Sequence, residues 1–234
     1  MYVVKCIALN GAQAVRSGNI YDENYKWKYN EVGKVSDDVI AFYLNHSDSF
    51  SVLGKDGALS SSDGLEVVTG LSASDSVDGI LHQTTFVLSA VALSITDALA
   101  YASKKLFTFP AGRIELIGVT SSLAFAVTTT RASTINASAS MTYGLGSAAA
   151  SNATLATTMV DMTPKTTQLL DGAVAAYTIA KGAALAASAQ FDGTSTPVPM
   201  YFNAAFETGT DIDADGAIAI SGSIAATWAN LGDY

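Results

Sequence analysis

Charge is scarce in this sequence. Only 14% of its 234 residues are Asp, Glu, Lys or Arg, well under the roughly 25% of an average soluble domain. The balance is acidic, with a formal net charge of -9. No basic cluster is larger than Lys104-Lys105, which excludes a chain built to track a phosphate backbone, so nucleic acid is not an expected partner. Cysteine is nearly absent: Cys6 alone rules out a disulfide framework and a thiolate metal cluster, and suits assembly in a reducing cytoplasm. Histidine is limited to His46 and His82, which leaves little material for a nucleophile activated by a base and an orienting acid. Long apolar runs are missing too. The apolar run within residues 1–10 is too short for a signal h-region, and none approaches the ~20 residues of a membrane helix. The expectation is a soluble chain without a cleaved leader or a membrane partner.

In place of charge stand Ala, Ser, Thr and Gly, within a composition that is 49% hydrophobic. A chain of this length buries a substantial core without covalent staples, as one large β domain or two smaller units. Residues 1–54 hold the densest charge and most of the bulky aromatics, Tyr21, Tyr25, Trp27, Tyr29, Phe42, Tyr43 and Phe50. Strands are expected at 3–9, 25–32 and 50–53. Between the last two, Ser36 is an N-cap with Asp37 and Asp38 in the first turn, followed by Val39, Ile40, Tyr43 and Leu44 at helical spacing. The unit reads as a small α+β (β-β-α-β) domain. Residues 55–80, rich in Gly, Ser and Asp, read as a linker whose Leu65, Val67 and Val68 need burial, for instance on a partner.

From residue 81 to 234 short segments alternate apolar and small polar residues between turn signals, the pattern of an antiparallel β sandwich. Strands are expected at 85–96, 105–109, 113–128, 134–143, 173–181, 183–190, 199–206 and 217–229, a count that suits a jelly roll. Pro110-Ala111-Gly112, Asp192-Gly193 and Asp215-Gly216 supply bends. Residues 97–102 allow a turn or two of helix, and 152–161 fit either state. The whole is mainly β, with no repeat of solenoid or propeller type.

Few motifs carry chemistry. Asp211, Asp213 and Asp215, followed by Gly216, match the core of a calcium loop, but Gly222 stands where an EF-hand needs its bidentate Glu and both flanks read as strands, so an acidic hairpin tip is expected instead. Gly144-Leu145-Gly146 lacks the third glycine and the βαβ setting of a dinucleotide site and reads as a bulge or strand end. His46 is expected to cap the preceding helix, and His82 to be incidental. Glu115, Asp192 and Glu207 include no pair singled out for glycoside hydrolysis. The glycosylation-type triplets at Asn45, Asn136 and Asn152 carry no weight without a secretory route. Tyr25, Trp27 and Tyr29 alternate along one strand and would share a face, either as a stacking platform for sugars or, as a small unit needs, as core. Trp228 reads as a core or subunit-interface anchor. No catalytic, cofactor-binding or metal-ligating residue is assigned.

A resemblance lies in the last two-thirds of the chain. It is carried by 95–102 (ITDALAYA), 107–113 (FTFPAGR), 135–140 (INASAS), 144–149 (GLGSAA), 201–206 (YFNAAF) and 218–222 (IAISG). In that order these segments resemble a group of Ala/Ser/Thr-rich, acidic structural proteins of tailed-bacteriophage virions, similar to the jelly-roll decoration (cement) proteins of capsid exteriors. More loosely, Val35-Ser36-Asp37-Asp38-Val39 resembles a segment of small head-associated modules. The resemblance implies a non-enzymatic protein on the outside of the virion, assembled in the host cytoplasm, with the major capsid protein and further copies of itself, as a homotrimer, for partners. It implies no catalytic residue. The alternative expectation is a carbohydrate-binding or host-adhesion protein of the virion surface.

Overall fold

A computed structural model describes residues 1–8, 11–13, 26–29, 31–36, 39–47, 49–96, 99–127, 139–170, 190–206 and 216–232. The chain is mainly β, and every ladder among the described residues is antiparallel. Among the described residues no helix is long and apolar enough to cross a membrane.

At the N-terminal end, β1 (Tyr2–Cys6) lies between β4 (Val32–Val35) and β5 (Phe50–Lys55), with α1 (Ile40–Asn45) in the connection from β4 to β5. The strand expected at 25–32 is broken. A short β3 (Lys26–Trp27) pairs with β2 (Ala12–Gln13), and a turn follows in which the Lys28 N–H donates to the Glu31 carboxylate and the Glu31 N–H returns to the Lys28 carbonyl. The helix starts later than its cap signal suggested: Val39 is the N-cap, with no side-chain hydrogen bond, while Asp37 and Asp38 lie outside the described residues. Trp27, Tyr43 and Phe50 fill this unit's core edge to face, with ring centroids 4.9–6.0 Å apart, an arrangement that suits the ring quadrupoles. Val4, Cys6 and Val35 pack around them.

The stretch expected as a linker is built into a sheet over part of its length. It contains β6 (Gly57–Ala58), a 3-10 turn (Ser61–Asp63) and β7 (Leu71–Asp78), and β7 pairs along its whole length with β8 (Leu81–Ile95) through the two-residue turn at Gly79-Ile80. Gly79 takes the positive φ that such a tight hairpin demands. β7 alternates Ser or Asp outward with Ala73, Asp75 and Val77 inward, a two-residue period masked in the sequence by how small and polar its members are.

Beyond β8 come β9 (Tyr101–Thr108), β10 (Gly112–Val127), β11 (Ala139–Gly146), β12 (Thr166–Leu170), β13 (Gln190–Gly193), β14 (Pro199–Phe206) and β15 (Gly216–Asn230). Their pairing is nested: β11 with β12, β10 with β13, β9 with β14 and β8 with β15. That is one long antiparallel ribbon, and it is rolled on itself so that β15 also meets β10 and β14 also meets β11. Two sheets result, in the orders β13-β10-β15-β8-β7-β6 and β12-β11-β14-β9. They share one core, in which Phe86, Leu123, Phe125 and Ile224 of the first face Met141, Tyr143, Phe202 and Phe206 of the second. Apolar residues at every second position of strands up to 16 residues long give such a sandwich its cohesion, at roughly 25 cal/mol per Å² removed from water.

The bend at Pro110 and Ala111 into Gly112, and the β9 segment around 105–109, lie where expected. The expected strand at 173–181, most of the one at 183–190, and Asp97, Ala98 and Asp215 lie outside the described residues. Residues 152–161 form neither a helix nor a strand, apart from one 3-10 turn at Thr157–Met159.

The long central strands carry one coupled irregularity. Gly222 sits at φ 125° where the β15 register shifts, opposite Ala90 at φ 52°, and the Ala90 N–H donates to Ser221 Oγ at 3.0 Å. A Cβ on Gly222 would collide with the Ser122 carbonyl on β10, so strain and clash act together. Gly222→Ala is expected to lower stability by about 2 kcal/mol or more, read as a fall in urea midpoint at constant slope.

Candidate functional site

The outer face of the six-stranded sheet is unusual for a solvated surface. Thr85, Val87, Ala92 and Ser94 of β8 project from it, beside Ala219, Ser221, Ser223 and Ala225 of β15 and Thr120, Ser122, Ala124 and Ala126 of β10. The register sets them in rows, such as Val87, Ser223 and Ser122, or Ala92, Ala219 and Ala126. Ser72, Ser74 and Ser76 of β7 extend the rows on the far side. Among the described residues, no charged one interrupts the face between Gln83 and Ser94. Asp78 on β7 and Arg113 and Glu115 on β10 lie past one end, on opposite sides of it. Twelve residues of β8 at about 3.3 Å each, by three strands about 4.8 Å apart with β7 as a fourth along half that length, give roughly 700 Å². Val87 is 48% exposed within this face. Antiparallel sheets that face water normally carry charged or larger polar groups there. A flat face of small uncharged side chains loses little on desolvation and lets another protein surface approach closely.

A second cluster is buried where β7, β8 and β15 meet. Asp75, His82, Thr84 and Trp228 are each at most 7% exposed. Asp75 and Thr84 face each other across the β7–β8 ladder, and His82 lies two residues before Thr84 on the same face. The Trp228 Nε1–H donates to Thr84 Oγ1 at 2.8 Å, and the Thr84 hydroxyl donates to Asp75 Oδ1 at 2.8 Å. His82 Nδ1 is 2.6 Å from Asp75 Oδ2. With the Thr84 hydroxyl donating to one Asp75 oxygen, the other is the acceptor that faces Nδ1, which makes Nδ1 the donor. The imidazole lies flat on the Trp228 indole, with centroids 3.8 Å apart and planes 10° apart. An oriented Asp–His pair of this kind can steer a proton or present a lone pair at Nε2.

The structure separates most of the sequence candidates. Trp27 is fully buried and Tyr29 is half exposed, so the two do not form an open stacking face; Tyr25 lies outside the described residues. Asp211, Asp213 and Asp215 also lie outside them, as does Glu207. Asp192 sits on β13 and accepts from the Thr194 N–H and hydroxyl, which hold its carboxyl below the usual range. Glu115 lies on the adjacent strand, opposite Gln190. Among the described residues no group of three or more His, Cys, Asp or Glu is placed to hold a metal ion. Gly146 ends β11, where a Cβ would run into the Met159 backbone, and Gly144 passes the Val160 side chain. This Gly-x-Gly therefore admits a covering segment rather than a nucleotide. His46 Nδ1 lies 2.8 Å from the Phe42 carbonyl in the last turn of α1.

The Asp75–His82 pairing has no signal of its own in a stretch that reads as a linker over 55–80, because it depends on the β7–β8 ladder. The signal for that ladder is Asp78-Gly79, a turn dipeptide flanked by alternating residues. No protein-family model and no curated protein sequence matches the chain.

Proposed function

We propose that this is a non-enzymatic decoration protein of a tailed-phage capsid, bound to the exterior of the head at subunit junctions and cementing it there. The observation that carries the reading is the uncharged outer face of the six-stranded sheet, whose roughly 700 Å² approaches the ~800 Å² per partner of a standard protein–protein interface. The nested ribbon supports it as well. Eight strands, β8 to β15, rolled into the orders 13-10-15-8 and 12-11-14-9 support reading the sandwich as a jelly roll, a fold common among capsid proteins. β7 and β6 extend one edge, and on this reading the N-terminal β-β-α-β segment is a second, smaller unit. The partners are the major capsid protein and further copies of this chain as a homotrimer, and the location is the virion.

Cementing works by mass action. A protein that binds the assembled shell but not its dissociated parts stabilises the shell by RT ln(1 + [L]/Kd) per site, and symmetric copies add. Nothing in this role needs a reacting group.

The test is to mix purified protein with heads that lack it, pellet them, and heat them. Saturable binding at a symmetric stoichiometry with a raised disruption temperature is expected, and wild-type protein left in the supernatant would overturn the proposal. The double variant Ala219→Glu/Ser223→Glu puts two charges at the centre of the face without touching the core. It is expected to keep its circular dichroism and urea midpoint within ~1 kcal/mol and to lose at least about 100-fold in head binding, since each buried unpaired charge costs more than 1.4 kcal/mol. Unchanged binding by that variant would move the contact elsewhere.

A further inference from the structure

His82 Nε2 is buried and has no hydrogen-bond partner among the described residues. An orphaned imidazole nitrogen is unfavourable in a folded interior, and here its neighbours orient it: Asp75 holds Nδ1 and Trp228 sets the ring plane. His82 also helps wall two adjoining hollows between the N-terminal sheet and the end of the sandwich. One, about 300 Å³, is bounded by Tyr2, Lys55, Asp63 and Asn230. The other, about 510 Å³, is bounded by Lys5, Ile7, Ile80 and Leu231. Val52, Leu53, Ala111 and Asn230 are common to both, so the hollows are lobes of one cleft with His82 in its wall.

We infer that this cleft binds a neutral polyhydroxylated molecule, a sugar or polyol, with His82 Nε2 accepting a hydrogen bond from one ligand hydroxyl. The polar groups around the smaller lobe mix donors and acceptors. Lys55 is matched by Asp63 at 3.1 Å, so this lobe does not call for a charged ligand. Asn230 donates to the Ala111 carbonyl and accepts from the Gly232 N–H, which leaves one amide N–H and one lone pair. Sugars and polyols present hydroxyls that both donate and accept, together with C–H surface for an aromatic wall such as Tyr2. Nε2 is covered in this structure, so a ligand hydroxyl meets it only as the cleft wall yields; Val52 and Leu53 in that wall belong to the separate three-stranded sheet. The inference rests on no part of the capsid reading.

The experiment uses the uniformly 15N-labelled full chain at neutral pH, with long-range imidazole spectra followed during separate titrations with D-galactose, N-acetyl-D-glucosamine and glycerol, and with sodium acetate as the charged comparison. At least one of the three neutral probes is expected to move His82 Nε2 saturably, while His46, bonded to the Phe42 carbonyl, stays fixed. Leu53→Trp, which fills the cleft and leaves the Asp75–His82–Thr84–Trp228 chain intact, is expected to weaken that response at least tenfold. His82→Phe keeps the stack on Trp228 and is expected to abolish ligand-induced protection in thermal melts. Failure of all three neutral probes to shift His82 in the folded wild type overturns the inference and leaves a buried water as the partner of Nε2. Saturation by acetate alone also overturns it, in favour of an anion site.

Discussion

Trp228→Ala is expected to cost about 3–5 kcal/mol of folding free energy, the range for a large aromatic removed from a packed interior. Trp228 is 2% exposed near the end of β15, stacked on His82 and T-shaped to Phe109 at 5.1 Å and 80°. Truncation opens a cavity between the two sheets, removes both ring contacts and leaves Thr84 Oγ1 without the indole N–H. The damage spreads because Thr84 holds Asp75, and Asp75 holds His82. A domain of this kind has a total stability of about 5–15 kcal/mol, so the variant should lose a large part of it. Urea denaturation followed by far-ultraviolet circular dichroism reads the loss as a lowered midpoint at constant slope. Trp228→Phe separates packing from polarity: it keeps most of the stack and loses only the N–H, and is expected to cost about 1–2 kcal/mol. An alanine variant within ~1 kcal/mol of wild type would mean that the sandwich end is held by its strand ladders alone.

Trp228 also shows which parts of the fold could be read from the chain. Its place in the core was legible because β15 alternates Ile218, Ile220, Ile224, Ala226 and Trp228 inward against small residues outward, a period that survives in one dimension. The same is true of β8, where Phe86 and Leu88 alternate with Thr85 and Val87. Pairing was less legible, because a ribbon whose partners stand more than 100 residues apart, such as Leu93 with Ile218, leaves no local trace. β7 was lost for another reason. Its inward residues, Ala73, Asp75 and Val77, are small or charged, so its alternation looks like a polar linker until its neighbour is known. Trp27, Tyr43 and Phe50 were readable as aromatics in a unit too small to leave them outside, although the turn that breaks the strand after Trp27 was not foreseen. The uncharged face was visible only as a low charge content. It became a surface when the register placed Ala92, Ala219 and Ala126 side by side.

Asn203→Leu is expected to cost about 3–5 kcal/mol, although the two side chains are close in size. Asn203 lies on β14 and is fully buried, because residues 147–163 fold back over the outer face of the four-stranded sheet. Its amide nitrogen donates to the Ala148 carbonyl at 2.8 Å and the Met159 carbonyl at 2.7 Å. Its oxygen accepts from Ser103 Oγ at 2.6 Å and the Ala150 N–H at 3.0 Å. All four hydrogen-bonding positions of the amide are occupied, and two carbonyls on the nitrogen fix which end is which. Leucine leaves both carbonyls buried and unpaired, each at about 1–3 kcal/mol, while the Ala150 N–H retains Ser103 Oγ at 2.6 Å. Leu155, Met159 and Ala205 form the small apolar cluster that also holds this covering segment. The loss should therefore appear first as faster amide hydrogen exchange at 147–163 and only then as a lower global midpoint, the signature of local opening. Asn203→Asp separates the causes: it preserves volume but turns an accepting oxygen toward the two carbonyls, so it should destabilise at neutral pH and recover partly in acid, where the carboxyl regains one donor. Leucine and aspartate variants that both exchange like wild type would show that the segment is held by its apolar cluster. Fast exchange in both would make Asn203 the polar pin that lets an Ala- and Ser-rich strap lie flat on the sheet.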